Sequence, residues 1–138
     1  MTNESLTWED AKRDTQAMET EIATRIPSDA VVTVTQNPTG VLFSCDQDKH
    51  RWMGKTTVVV TPGTEVESVV RGLEDRYRGG RFEVSTRTDI GGFYEVHLKS
   101  PQTAEGYIIS EGDSRTIWIH SSSPCFTLPD DVYPGGKF

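Results

Sequence analysis

Two cysteines, Cys45 and Cys125, stand eighty positions apart in a chain of 138 residues. Only one intramolecular pairing is open to them, and it closes most of the chain into a single loop. Restricting the unfolded chain in that way is worth roughly 4 kcal/mol. Small domains are stable by only about 5–15 kcal/mol. Cys45 ends the strand-like run Val41-Leu42-Phe43-Ser44-Cys45, and Cys125 follows the last strand-like run, within Ser123-Pro124-Cys125-Phe126. The placement predicts a disulfide, a bond that persists outside the cytosol. The alternative is a pair of buried free thiols in a cytosolic protein. The pair lacks the C-x₂-C spacing of zinc sites, and no metal or cofactor is expected.

The length suits one domain, with residues 1–6 a polar lead-in, 7–128 a folded core and 129–138 an extended tail. A net charge of −7 argues against nucleic acid, because phosphate binding needs a basic surface. It argues equally against an anionic membrane face. No stretch is long enough to span a bilayer. Met1-Thr2-Asn3-Glu4-Ser5 is polar and acidic, unlike a signal peptide. An exported form would therefore be the mature part, with Met1 replacing a removed segment.

Hydrophobic periodicity divides the core. Trp8, Ala11, Thr15, Met18, Ile22 and Ile26 recur at spacings of three and four, which predicts a helix capped by Thr7 and stopped by Pro27. Glu9, Lys12, Arg13, Asp14, Glu19 and Glu21 are expected mostly off that face. Three strands follow, at residues 30–36, 40–46 and 55–61, with 46–51 a charged loop. Val41, Phe43 and Cys45 share one face of the second. Thr64 and Glu67 form a T-x-x-E capping box for a second helix, whose buried face is Val66, Val69, Val70, Leu73 and Tyr77 and which ends at Gly79-Gly80. Four alternating strands complete the core, at residues 81–88, 92–99, 104–111 and 115–121, with a turn at Glu111-Gly112-Asp113-Ser114. The order α-β-β-β-α-β-β-β-β with hairpin-length connections predicts an α+β domain. An antiparallel sheet carries both helices on one face and leaves the other polar and open to solvent. The tail is expected to wrap the domain as far as Leu128 and to be disordered after Pro134.

The chain resembles the ectodomains of small actinobacterial lipoproteins, the LppA-like group among them. The resemblance rests on Trp8-Glu9-Asp10-Ala11 in the first helix, on Leu42-Phe43-Ser44-Cys45, and on Ser123-Pro124-Cys125-Phe126 after the final strand. It implies export, a lipid anchor on a cysteine upstream of Met1, and a Cys45–Cys125 bridge. No lipobox cysteine stands in this sequence, so the anchor is implied only for a preceding segment. The resemblance implies no activity.

The open sheet face is the candidate binding surface. Alternation turns Arg87, Glu95, His97, Trp118 and His120 outward, where Arg87, His97, Trp118 and His120 offer charge, hydrogen bonding and stacking to a ligand. Glu95 and His97 share a face, yet with His120 they make too sparse a set to predict a metal. The loop 46–51 reads as a solvated hairpin or as a partner-contact loop anchored by Trp52. Ser121, Ser122 and Ser123 near His120 form no G-x-S-x-G elbow and read as a turn delivering Cys125. No catalytic residue is assigned. The expectation is a soluble, monomeric ectodomain at the cell envelope or secreted, binding a protein or small-molecule ligand, with a membrane link only through the anchor. The alternatives are a hydrolase-like enzyme using a surface histidine with acidic partners, and a cytosolic interaction domain.

Overall fold

The period-two alternation of Thr57-Val58-Val59-Val60 sorts this strand's side chains onto two sides. Val58 and Val60 are fully buried, while Thr57 and Val59 are only half-buried. The same sorting in the neighbouring strands gives the domain its two layers. The computed structural model describes residues 6–46, 48–113 and 115–138. Met1–Ser5, Gln47 and Ser114, on which parts of the expected lead-in, loop and turn fall, lie outside the described residues.

The elements run α1 (Trp8–Thr24), a 3₁₀ turn (Ser28–Ala30), β1 (Val31–Gln36), β2 (Val41–Asp46), β3 (Lys49–Val60), α2 (Val66–Tyr77), β4 (Glu83–Thr88), β5 (Tyr94–Lys99), β6 (Gly106–Asp113), β7 (Thr116–Ser122) and β8 (Phe126–Thr127). This is the α+β order expected, with a short final strand added. All pairings are antiparallel. The sheet runs β1-β3-β7-β6-β5-β4, with β2 and β8 also paired to β3. Both helices cover one face. Ile22, Ile26, Val66, Val70 and Leu73 meet Val58, Val96, Leu98, Ile109, Ile117 and Ile119 in the main core. Each such side chain contributes about 1.5–3 kcal/mol on burial.

Cys45 and Cys125 form the expected disulfide, with Cα atoms 6.0 Å apart. It ties the end of β2 to the residue before β8. Among the described residues, no helix is long and apolar enough to cross a membrane.

β3 differs most from expectation. It begins at Lys49, so most of the expected charged loop is strand. Trp52, the expected anchor of a contact loop, is fully buried against Ala11, Phe126 and Leu128. Its indole lies across Gly54, where an added Cβ would stand 2.2 Å from the ring. The physical reason is plain in the alternation. Lys49, Arg51, Met53 and Lys55 face the open side, so a strand with one solvated face looks like a charged loop.

The tail also departs from expectation. Phe138 exchanges backbone hydrogen bonds with Gly40 at 2.6 and 3.1 Å, and its carbonyl accepts from Trp52 Nε1 at 3.2 Å. Phe138 also stacks edge-on to Trp8. The segment after Pro134 is therefore docked rather than disordered. Leu6, assigned to the lead-in, packs against the same cluster. Thr7 caps α1 as expected, accepting from the Asp10 amide at 3.1 Å. The T-x-x-E capping box is not formed. Glu65 is the N-cap of α2 without a side-chain bond, Thr64 bonds the Thr61 hydroxyl at 2.6 Å, and Glu67 pairs with Arg71.

Glu19 is fully buried, not on the solvent side of α1. It lies four residues after Thr15 and three before Ile22, on the buried stripe. Thr56 donates to it at 2.6 Å, Gln36 at 3.2 Å, and Ser121 also donates. Burial raises its carboxyl above the ordinary 4.5, against the pull of those bonds. The folded state thus holds this proton more tightly than the unfolded chain. The resulting stabilisation is complete below 4.5 and is lost as pH rises through the folded value. Glu105 acts in the opposite window. Burial acts to raise it, but bonds from Arg81 and Tyr107 prevail and hold it low, so its contribution is lost in acid. Glu19→Gln should therefore unfold at higher urea than the parent at pH 7, with the gap closing towards pH 4.5. A gap that stays constant with pH would show that Glu19 is not held as a raised carboxyl.

Candidate functional site on the open sheet face

The register places the outward side chains in rows across the sheet. One row runs Arg87, Glu95, Ser110, Trp118 and Thr57. The next runs Ser85, His97, Ile108, His120 and Lys55. A third runs Lys99, Gly106, Ser122, Met53 and Val41. Directly opposed side chains in such rows lie about 4.5–5.5 Å apart at Cβ.

Arg87, His97, Trp118 and His120 thus share the face expected of them, in two adjacent rows. Glu95 links the first pair: its Oε1 accepts from His97 Nε2 at 3.1 Å and lies 3.7 Å from Arg87 Nε. Lys55 sits over the Trp118 ring, 4.2 Å from its centroid, and His120 meets that ring edge-on at 6.0 Å. Gly112 lets the indole lie down, since a Cβ there would stand 2.6 Å from the ring. His97 and His120 are two strands apart, about 10 Å, with Ile108 between them. No cluster of three metal-ligating side chains occurs among the described residues.

A groove of about 320 Å³ opens beside the second row. Its floor is Gly106 and Ser122, small residues in the third row. His97, Ile108 and His120 form one wall, with Arg51, Met53 and Lys99 also lining it. Among the described residues, no carboxylate lines it. The Arg51 Nε and the Ser122 Oγ are buried with no hydrogen-bond partner among the described residues. Past Met53 a second depression of about 400 Å³ continues over β2, lined by Val41, Phe43, Lys55 and His120 among others. Val41 and Phe43 do share one face, as expected, and it is this open one. They are 44% and 52% exposed, marking an apolar strip left in water.

Of the four expected ligand-binding residues, His97 and His120 line the groove, while Arg87 and Trp118 flank it. Sequence reasoning missed Arg51, Met53, Lys99, Gly106 and Ser122. The alternation of Lys49, Arg51, Met53 and Lys55 was the available signal for two of them. The serines do not form a turn: Ser121 and Ser122 end β7, Ser121 is spent on Glu19 and the Gly54 amide, and Ser123 accepts from the Trp52 amide at 2.9 Å.

No family model matches the chain, and no curated protein or solved structure is significantly similar to it.

Burial lowers the His120 pKa below the ordinary 6.5, with Lys55 adding to that and Glu95 opposing it. An NMR titration should place the His120 midpoint below 6.5, and Lys55→Met should move it partway back. A midpoint at or above the ordinary value would mean the ring is not enclosed in this way.

Proposed function

We propose that this chain is an exported, non-enzymatic binding domain of the cell envelope that takes its ligand on the open sheet face. The groove floored by Gly106 and Ser122, with His97 and His120 on its wall, is the observation that carries the reading. At about 320 Å³ it falls within the range of small-molecule sites. Export draws support from the Cys45–Cys125 bridge, because oxidising compartments preserve such bonds. The resemblance to actinobacterial lipoprotein ectodomains adds the lipid anchor, on a segment upstream of Met1.

A hydrolase reading has one specific attraction. Ser85 lies opposite His97 in register, and Glu95 orients that histidine. Against it, no hydrogen bond joins Ser85 to His97 among the described residues, and these side chains stand on paired strands. A backbone N–H already engaged in the ladder cannot also stabilise an oxyanion. Binding requires neither feature.

Mixtures of small organic fragments added to labelled protein should shift the NMR signals of His97, Ile108, His120 and Ser122. Gly106→Leu, which fills the floor, should weaken those interactions tenfold or more. Shifts confined to other surfaces would overturn the assignment. So would turnover of a p-nitrophenyl ester that His97→Ala or His120→Ala abolishes.

A further inference from the structure

The chain carries a net charge of −7, yet among the described residues the groove on its open face has two cationic side chains and two imidazoles in its lining and no carboxylate. Arg51 and Lys99 bring permanent positive charge, with His97 and His120 beside them and Lys55 at the adjoining depression. Of the carboxylates beside it, Glu95 is already engaged by His97 and Arg87, and Glu83 stands opposite Lys99 on the edge strand β4. A cationic concavity on an acidic protein selects for an anion and repels cations.

The floor adds a second observation. Arg51 and Ser122 lie diagonally across β3 and β7, since Ser122 opposes Met53. Each has a buried polar atom without a hydrogen-bond partner among the described residues, Nε in Arg51 and Oγ in Ser122. Buried donors left unpaired are unfavourable, and a small side-chain shift that presents them to an acceptor brought by a ligand would relieve this. Two such donors suit the two oxygens of a carboxylate better than the larger acceptor set of a phosphate.

The third observation is what lies beyond. Met53 and His120 line both depressions, so the groove adjoins the one over Val41 and Phe43 of β2. Those two large apolar side chains are about half exposed. Water on one side and apolar carbon on the other is an arrangement that an apolar chain would relieve.

We propose that the open face binds a carboxylate-headed amphiphile, its head between Arg51, Lys99 and Ser122 and its apolar chain lying over Met53 towards Val41 and Phe43. This rests on the open face being the binding surface and names the chemistry of what it takes. Recognition is divided between the two ends. The cationic floor fixes direction, and the apolar strip supplies area without specifying chain length.

Titration calorimetry and NMR with laurate, dodecyl phosphate, acetate and dodecyl maltoside, all below their micellar concentrations, test it. Laurate should bind and shift Ser122, Ile108 and Val41 together. Acetate should bind at least a hundredfold more weakly, for want of a chain. Dodecyl maltoside should bind at least tenfold more weakly, for want of charge. Arg51→Met should weaken laurate tenfold or more. Lys99→Met, at an exposed position on β5, should weaken it severalfold, which keeps the test intact if Arg51→Met is unstable. Dodecyl phosphate binding more tightly than laurate would overturn the carboxylate assignment. Dodecyl maltoside binding as well as laurate at the same residues would overturn the anionic head and leave the open-face reading standing. If no probe shifts the face and the fragment mixtures also fail, both readings fall.

Discussion

Strand β3 has to satisfy backbone groups along both of its edges over 12 residues, and the rest of the molecule is arranged to let it. On one edge β2 pairs its first half and β1 its second. On the other, β8 pairs its start and β7 the remainder. Where the two partners on that second edge meet, serines complete the ladder: Ser123 Oγ accepts from the Trp52 amide and Ser121 Oγ from the Gly54 amide. The disulfide lies at the same end, joining the finish of β2 to the approach of β8. Three features that look separate in sequence are thus one device for keeping a long strand paired.

That strand also divides the chemistry. Its inward residues carry the helices, with Trp52 under the start of α1, Thr56 holding Glu19, and Val58 and Val60 in the main core. Its outward residues carry the candidate site, with Arg51 and Met53 in the groove and Lys55 over Trp118. A shift of register by one residue would exchange the two sets. Fold and site therefore depend on the same alternation, and the buried Trp52 and Glu19 are what pin its phase.

Much of this is legible in the sequence because period two and period three-and-a-half are strong signals. The strands from Glu83 to Ser122, the outward placement of Arg87, His97, Trp118 and His120, and both helices follow from alternation alone. Length set the limit elsewhere. Lys49-His50-Arg51-Trp52-Met53-Gly54-Lys55 alternates as well as any other strand, but three of its four open-face residues are charged and its inner row holds a histidine and a glycine. Charge there reads as solvation of a loop rather than of one strand face. Glu19 reads as a solvent-side residue because carboxylates ordinarily stay in water. Only the tertiary meeting of Thr56, Ser121 and Gln36 makes its burial tolerable. The docking of Phe138 on Gly40 is a pairing of backbone groups, which no side-chain pattern announces.

The most direct test of this account is amide hydrogen exchange along β3 in the intact, oxidised protein, measured residue by residue. The amides of Trp52 and Gly54 should exchange with the same opening free energy as that of Val60, because the whole strand opens only when the domain does. If Trp52 and Gly54 exchange orders of magnitude faster than Val60, the first half of β3 is a separate, loosely held segment. Arg51 and Met53 would then not be held in place, and the groove they line would not be a formed site.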